Sequence, residues 1–126
     1  MSKHILIVDD SSDTLDLLKE ALEQEGYDVT ALPYTQDIIA NISQYQPDLV
    51  MLDFILSGIN GGELCHQLKT DPISAHIPVI MLSGYTRVLE SLGSNYGADE
   101  FIAKPFDLDH LYASVKHWIE EGTMHA

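Results

Sequence analysis

Short apolar runs alternate with amphipathic segments along the chain, and three of these runs, 5–8, 49–52 and 78–82, contain no polar residue. Such short runs do not suit helices, and their lack of alternation is typical of parallel strands covered on both faces. Residues 27–32 instead alternate apolar and polar side chains, which predicts a half-exposed edge strand. Residues 99–103 predict a fifth, weaker strand.

Apolar residues recur at helical spacing between these strands. The clearest stripe is Leu15, Leu18 and Leu22, with Asp16 and Glu20 facing outward, as in an amphipathic helix packed on a core. The predicted helices run from the capping residues Ser11 and Ser12 to Gly26, over about 35–45, through 64–68, over about 86–96 and over about 108–120. A glycine-containing loop is expected over 54–61.

This alternation of strands and helices predicts an α/β fold. The fold class is a flavodoxin-like, doubly wound, five-stranded parallel sheet in the order 2-1-3-4-5 with five helices. In that order the first and third strands flank the switch point of the sheet, where ligands bind just beyond the carboxyl ends of the strands. The chain of 126 residues is predicted to be one domain, 1–126, with its core at about 4–121.

Charge and composition narrow the possible functions. The formal net charge of −14 repels phosphate backbones and anionic lipid, so we expect no nucleic-acid or membrane partner. Cys65 is the only cysteine, which excludes an internal disulfide and a thiolate metal cluster. No signal peptide and no stretch of transmembrane length is found, and a cytoplasmic location is the resulting expectation.

Polar residues follow four of the predicted strands: Asp9 and Asp10, Asp53, Ser83, and Lys104. Because the carboxyl ends of parallel strands meet at one edge of the sheet, we expect these side chains to converge there. Three carboxylates at close range repel each other unless a cation neutralises them. An incomplete shell of oxygen ligands favours Mg²⁺, which keeps several waters and is held by carboxylates and phosphate oxygens.

The same group of residues suits phosphoryl transfer. A carboxylate can attack a phosphoryl group and form an aspartyl-phosphate. An ammonium such as that of Lys104, together with a metal ion, stabilises the charge on the transferring oxygens, and Ser83 offers a hydroxyl to a third oxygen. Taken singly, these residues also suit structural roles, with Asp9 and Asp10 as helix-capping acids and Lys104 as a solvated strand end.

From end to end the chain resembles a response regulator receiver domain of two-component signalling. Each matching motif is weak alone, but the set at the strand ends, in this order, is specific. The motifs are ILIVDD at 5–10, PDLVMLD at 47–53, IPVIMLSG at 77–84 and FIAKPF at 101–106.

The resemblance implies the acceptor and the metal ligands. Asp53 would be the phosphoacceptor, and Asp10 would bind Mg²⁺ directly. Asp9 would act largely through metal-bound water. The backbone carbonyl of Ile55, two residues past the acceptor, would complete the protein ligands of the metal.

The resemblance also implies a switch. Lys104 would contact the phosphoryl group, and its bond to Pro105 would be cis. Ser83 would bond to the phosphoryl group after transfer, and Phe101 would then turn inward. Phe101 has no hydroxyl, unlike the tyrosine common at this position, so it makes no polar contact in either state.

Two positions border the route of attacking water in the family. They are Ile55 and Tyr85, and neither side chain readily orients a water as an acid or an amide does. We therefore predict slow self-dephosphorylation. The family also implies that self-catalysed phosphoryl acceptance and this slow decay are its only reactions, so the protein would not be an enzyme.

The implied function is a phosphorylation-dependent switch. It would accept a phosphoryl group from a histidine kinase or a histidine phosphotransfer protein and would signal to a downstream protein. The output face would be the fourth helix, fifth strand and last helix, with Arg87, Glu90, Phe101, His110 and His117. The chain would be a monomer or a phosphorylation-dependent homodimer, and either a stand-alone receiver or a domain of a longer protein.

Two other functions remain open from the sequence. One is a receiver-like docking module that works without phosphorylation. The intact acidic and basic residues at the strand ends argue against this function. The other is a phosphatase with an aspartate nucleophile. That class expects two aspartates separated by one residue after the first strand, whereas Asp9 and Asp10 are adjacent.

Overall fold

The computed structural model describes residues 2–56, 59–84 and 97–124. Within these ranges the strands are β1 (His4–Val8), β2 (Asp28–Leu32), β3 (Leu49–Asp53), β4 (Ile55–Leu56), β5 (Ile59–Asn60), β6 (Val79–Ser83) and β7 (Glu100–Ala103). Five of them form a parallel sheet in the order β2-β1-β3-β6-β7, and β4 and β5 form a separate antiparallel pair. The predicted fold class and strand order are confirmed.

Four helices lie in the described ranges: α1 (Ser12–Gln24), α2 (Ile38–Tyr45), α3 (Gly61–Thr70) and α4 (Leu108–Met124). The helix predicted over 86–96 lies outside the described residues, as do Tyr85, Arg87 and Glu90. None of the described helices is both long enough and apolar enough to cross a bilayer.

Helix α2 begins later than predicted. The side chain of Asp37 accepts a hydrogen bond from the Ala40 N–H, so Asp37 is the N-cap and the helix begins at Ile38. Thr35, the predicted start, is a buried loop residue whose hydroxyl donates to the Asn41 side chain and accepts from the Asp37 N–H. The predicted boundary was wrong because the apolar stripe does not reveal which polar residue caps the helix.

The sheet is covered on both faces by apolar clusters. One face packs α2 and α3 on the sheet, through Ile38, Ile42, Leu64, Cys65 and Leu68. The opposite face packs α1 and α4, through Leu15, Leu18, Leu22, Leu111, Val115 and Ile119. Successive residues of β1, β3 and β6 alternate between the two clusters, as side chains on a strand must, so the predicted unbroken apolar runs are buried on both sides.

The register of the sheet aligns the ends of the strands. Val8 pairs with Leu52, Asp53 with Leu82, and Ser83 with Ala103. The polar residues that end or follow these strands therefore lie along one edge.

Candidate functional site

Three carboxylates meet at this edge. Asp9, Asp10 and Asp53 each offer an oxygen, and these oxygens lie within 4.8 Å of one another. Asp9 is fully buried, Asp53 is 8% exposed and Asp10 is exposed. The Ser11 N–H donates to Asp9 Oδ1 at 2.9 Å and so fixes the orientation of that carboxylate. The predicted convergence of the three aspartates is therefore present.

Lys104 reaches the same cluster from the end of β7. Its Nζ lies 2.7 Å from Asp9 Oδ2 and 3.3 Å from Asp53 Oδ2. Its backbone N–H donates to the Ser83 carbonyl at 2.8 Å, which anchors the residue to β6, and the Lys104-Pro105 peptide bond is cis. Burial lowers the pKa of Lys104, but the hydrogen bond to Asp9 and the charges of Asp53 and Asp9 outweigh it, so the pKa is raised. Lys104 is therefore an ammonium at neutral pH.

Ser83 ends β6 beside these residues. It is buried, at 2% exposure, and pairs in register with Ala103, immediately before Lys104. The residue before it, Leu82, pairs with Asp53 and accepts the Phe54 N–H through its carbonyl at 2.9 Å. Ser83 is therefore one residue closer to the carboxyl end of β6 than Leu82, the residue that pairs with Asp53.

The backbone after Asp53 contains a short antiparallel strand pair within the range predicted as a loop. Strands β4 and β5 pair Ile55 with Asn60, and the Gly61 N–H donates to the Phe54 carbonyl at 2.8 Å. The Asn60 side chain accepts the Gly62 N–H at 2.7 Å and caps α3. Two-residue strands have no detectable period, but Asn60 is a preferred N-cap residue type and so indicates the start of α3. The backbone of Ile55 is therefore paired with Asn60, two residues past the proposed acceptor.

The predicted output positions Phe101, His110 and His117 lie in β7 and α4. Phe101 is partly buried in β7, where it pairs with Met81 and packs against the cluster under α2 and α3. His110 Nε2 lies 3.5 Å from Glu100 Oε2, and the His117 ring makes an edge contact with Trp118. Glu100 also accepts hydrogen bonds from Ser114 and Trp118, which sequence reasoning did not identify. These contacts join β7 to α4.

The donor set fits a hard divalent cation. Carboxylate oxygens with one exposed member suit Mg²⁺, which binds oxygen at about 2.0–2.1 Å and retains several waters. A carboxylate beside an ammonium in a largely buried site also suits nucleophilic attack on a phosphoryl group.

Comparison with known proteins defines the class. Residues 5–116 match the model of the response regulator receiver domain, and the chain belongs to this family. The resemblance predicted from the motifs is confirmed. Receiver domains act in two-component signal transduction, are phosphorylated by histidine kinases and bind Mg²⁺ at an acidic pocket, and they are generally signalling domains rather than enzymes.

Two curated relatives show how much of a longer protein the chain matches. The phosphate regulon transcriptional regulatory protein PhoB of Pseudomonas aeruginosa is 38% identical over 117 residues, 92% of this chain and 51% of that protein. The DNA-binding dual master transcriptional regulator RpaA of Synechocystis is 38% identical over 113 residues, 89% of this chain and 47% of that protein. The chain thus spans about half the length of these relatives.

A solved structure matches the entire chain. The CheY-like response regulator receiver domain protein of Methanospirillum hungatei is 31% identical, with a TM-score of 0.90 and complete coverage of both chains (100% of each).

Proposed function

We propose that this protein is a phosphorylation-dependent switch that accepts a phosphoryl group on Asp53 from a histidine kinase or a histidine phosphotransfer protein. The observation that carries the proposal is the position of Lys104 Nζ, within hydrogen-bond reach of both Asp9 and Asp53 beside the triple-carboxylate cluster. One cation and three carboxylates therefore lie at the carboxyl edge of the sheet, where open α/β sheets bind their ligands, and this arrangement supports the proposal.

In the proposed reaction, an oxygen of the Asp53 carboxylate attacks the phosphorus of a phosphohistidine. A P–O bond forms, the P–N bond breaks, and the electron pair returns to the imidazole nitrogen. Lys104, now 3.3 Å from Asp53 Oδ2, donates to a phosphoryl oxygen and stabilises its charge. Ser83, at the end of the adjacent strand, donates its hydroxyl to a second oxygen after transfer.

Asp9, Asp10, Asp53 and the backbone carbonyl of Ile55 would hold Mg²⁺. When bound, Mg²⁺ neutralises negative charge on the carboxylates and on the transferring phosphoryl group. Asp9 would act largely through metal-bound water, because its two oxygens already accept hydrogen bonds from the Ser11 N–H and from Lys104.

The output would be a change in surface shape around Phe101. Ser83 and Lys104 lie at the ends of β6 and β7, so a movement of either is transmitted along β7 to Phe101 and to the Glu100 contacts with α4. The partner would be a protein that binds this face, either a downstream target or a second copy of the chain. The net charge of −14 disfavours direct contact of this chain with nucleic acid, whatever the longer relatives bind.

Intact mass spectrometry after incubation with acetyl phosphate, with and without Mg²⁺, tests the proposal. We expect one phosphoryl adduct that requires Mg²⁺, disappears in Asp53→Asn and persists in Asp16→Asn, a control on the exposed side of α1. Absence of an adduct in folded, Mg²⁺-binding protein would contradict self-catalysed transfer from a small donor and would favour a docking module that works without phosphorylation.

A further inference from the structure

Helix α3 begins in contact with the backbone of Asp53. A Cβ atom built on Gly61 would lie 2.0 Å from the Asp53 carbonyl oxygen, 2.9 Å from Phe54 Cα and 3.0 Å from the Asp53 carbonyl carbon. All three atoms belong to the main chain, so none can move aside by a side-chain rotation. Only glycine fits this contact.

The surrounding hydrogen bonds hold both partners of the contact in place. The Phe54 N–H donates to Leu82 in β6 at 2.9 Å, and the Phe54 carbonyl accepts the Gly61 N–H at 2.8 Å. The main chain of Phe54 is therefore held between the sheet on one side and the first residue of α3 on the other. Helix α3 is itself anchored in the core by Leu64, Cys65 and Leu68 and cannot retreat without loss of packing.

The size of the clash decides what an added methyl group would do. Real Cβ contacts essentially never fall below 3.0 Å, so relief of a 2.0 Å contact requires a backbone shift of about 1 Å. Mg²⁺ requires near-octahedral geometry with oxygens at about 2.0–2.1 Å, and a displacement of about 1 Å can slow a positioned reaction about a hundredfold. A shift of this size at Asp53 would change the spacing of the three carboxylates, whose oxygens lie within 4.8 Å of one another.

We infer that Gly61 is a positioning residue for the phosphoacceptor. Because Gly61 has no side chain, the start of α3 lies in contact with the Asp53 main chain, and this contact determines the position of the Asp53 carboxylate relative to the other two aspartates. The inference rests on the proposed phosphorylation of Asp53. It adds that the start of α3, and not only the sheet, determines the geometry of the site.

The test compares Gly61→Ala with wild type and with Val115→Ala, which removes buried atoms from α4 on the opposite face of the sheet. Calorimetric titration with Mg²⁺ alone gives affinity, and acetyl phosphate gives the phosphorylation rate at saturating Mg²⁺. We expect Gly61→Ala to bind Mg²⁺ at least about tenfold more weakly and to be phosphorylated on the order of a hundredfold more slowly. Val115→Ala, although less stable, should match wild type in both.

The outcomes distinguish a failure of the proposed function from a failure of the inference on Gly61. If wild type forms no adduct, the proposed function fails irrespective of Gly61. If wild type is phosphorylated and Gly61→Ala matches Val115→Ala in Mg²⁺ affinity and rate, the inference on Gly61 is overturned. If Gly61→Ala does not fold, Asn60→Ala decides, because it removes the cap at Gly62 and adds no atoms. A several-fold loss of Mg²⁺ affinity in Asn60→Ala supports the inference, and unchanged affinity overturns it.

Discussion

Lys104 Nζ lies closer to Asp9, at 2.7 Å, than to Asp53, at 3.3 Å. The lysine therefore makes its shorter ion pair with the fully buried carboxylate and its longer one with the proposed acceptor. One positive charge thus offsets part of the repulsion among three carboxylates, and the same charge opposes the approach of a second cation.

Replacement of Lys104 by methionine should separate metal binding from phosphoryl transfer. Removal of the ammonium leaves the cluster more negative, so we expect Mg²⁺ to bind more tightly by about 1 kcal/mol, roughly fivefold. Phosphorylation by acetyl phosphate should nevertheless be slower, because the donor to the phosphoryl oxygens is gone. Titration calorimetry and intact mass measure the two effects, and the exposed Lys116→Met is the control. Weaker Mg²⁺ binding in Lys104→Met would contradict this view of the charges.

Mg²⁺ should stabilise the folded protein through the same cluster. A ligand that binds only the folded state adds about 2.7 kcal/mol to the free energy of unfolding at a hundred times its Kd. We expect thermal unfolding to shift upward as Mg²⁺ is added, and this shift to be much smaller in Asp10→Asn than in Asp16→Asn. An equal Mg²⁺ shift in both variants would show that the ion stabilises the protein elsewhere.

Cys65 should be chemically inert in the native protein. Burial, the largest influence, raises the pKa of its thiol to about 12 from an ordinary value of 9.0, and only the thiolate is reactive. We expect a thiol reagent at pH 8 to label Cys65 in urea but not in the folded state. Because the folded state holds this proton more tightly, its contribution to stability is complete below pH 9 and is lost as the pH rises toward 12. Rapid labelling of native protein at pH 8 would contradict the buried position.

The aspartyl-phosphate should decay slowly. Ile55 and Tyr85, the positions that border the water route in the family, carry neither a carboxylate nor an amide to orient an attacking water. We expect the phosphorylated protein to last for minutes or longer after acetyl phosphate is removed, and Tyr85→Gln to shorten that time. The decay can be followed by intact mass, and a wild-type lifetime of only seconds would contradict the prediction.

The strands and the carboxylate cluster were predictable because both depend on simple patterns. Unbroken apolar runs mark buried parallel strands, and parallel strands bring their carboxyl ends to one edge. The adjacent acids Asp9 and Asp10, together with Asp53 and Lys104, therefore indicate one site from the sequence alone. The polar contacts of Lys104 follow from this edge placement.

The strand pair after Asp53 and the start of α2 were not predictable in the same way. Strands β4 and β5 have only two residues each, and the backbone hydrogen bonds beside them, such as that from the Gly61 N–H to the Phe54 carbonyl, produce no periodic pattern in the sequence. The start of α2 depends on which of Thr35 and Asp37 caps the helix: Asp37 accepts the Ala40 N–H, whereas the Thr35 hydroxyl donates to the Asn41 side chain. Sequence patterns thus locate the site, whereas local hydrogen bonds set its geometry.

The most direct test of the central claim is to identify the phosphorylated atom. Borohydride reduces an aspartyl-phosphate to homoserine, so protein treated with acetyl phosphate and Mg²⁺, reduced and digested, should carry homoserine at position 53. Peptide mass spectrometry would locate it, with untreated protein as the reference. Homoserine at position 53 alone is the predicted result. Homoserine at position 9 or 10, or an adduct that resists reduction, would contradict the assignment of Asp53 as the acceptor.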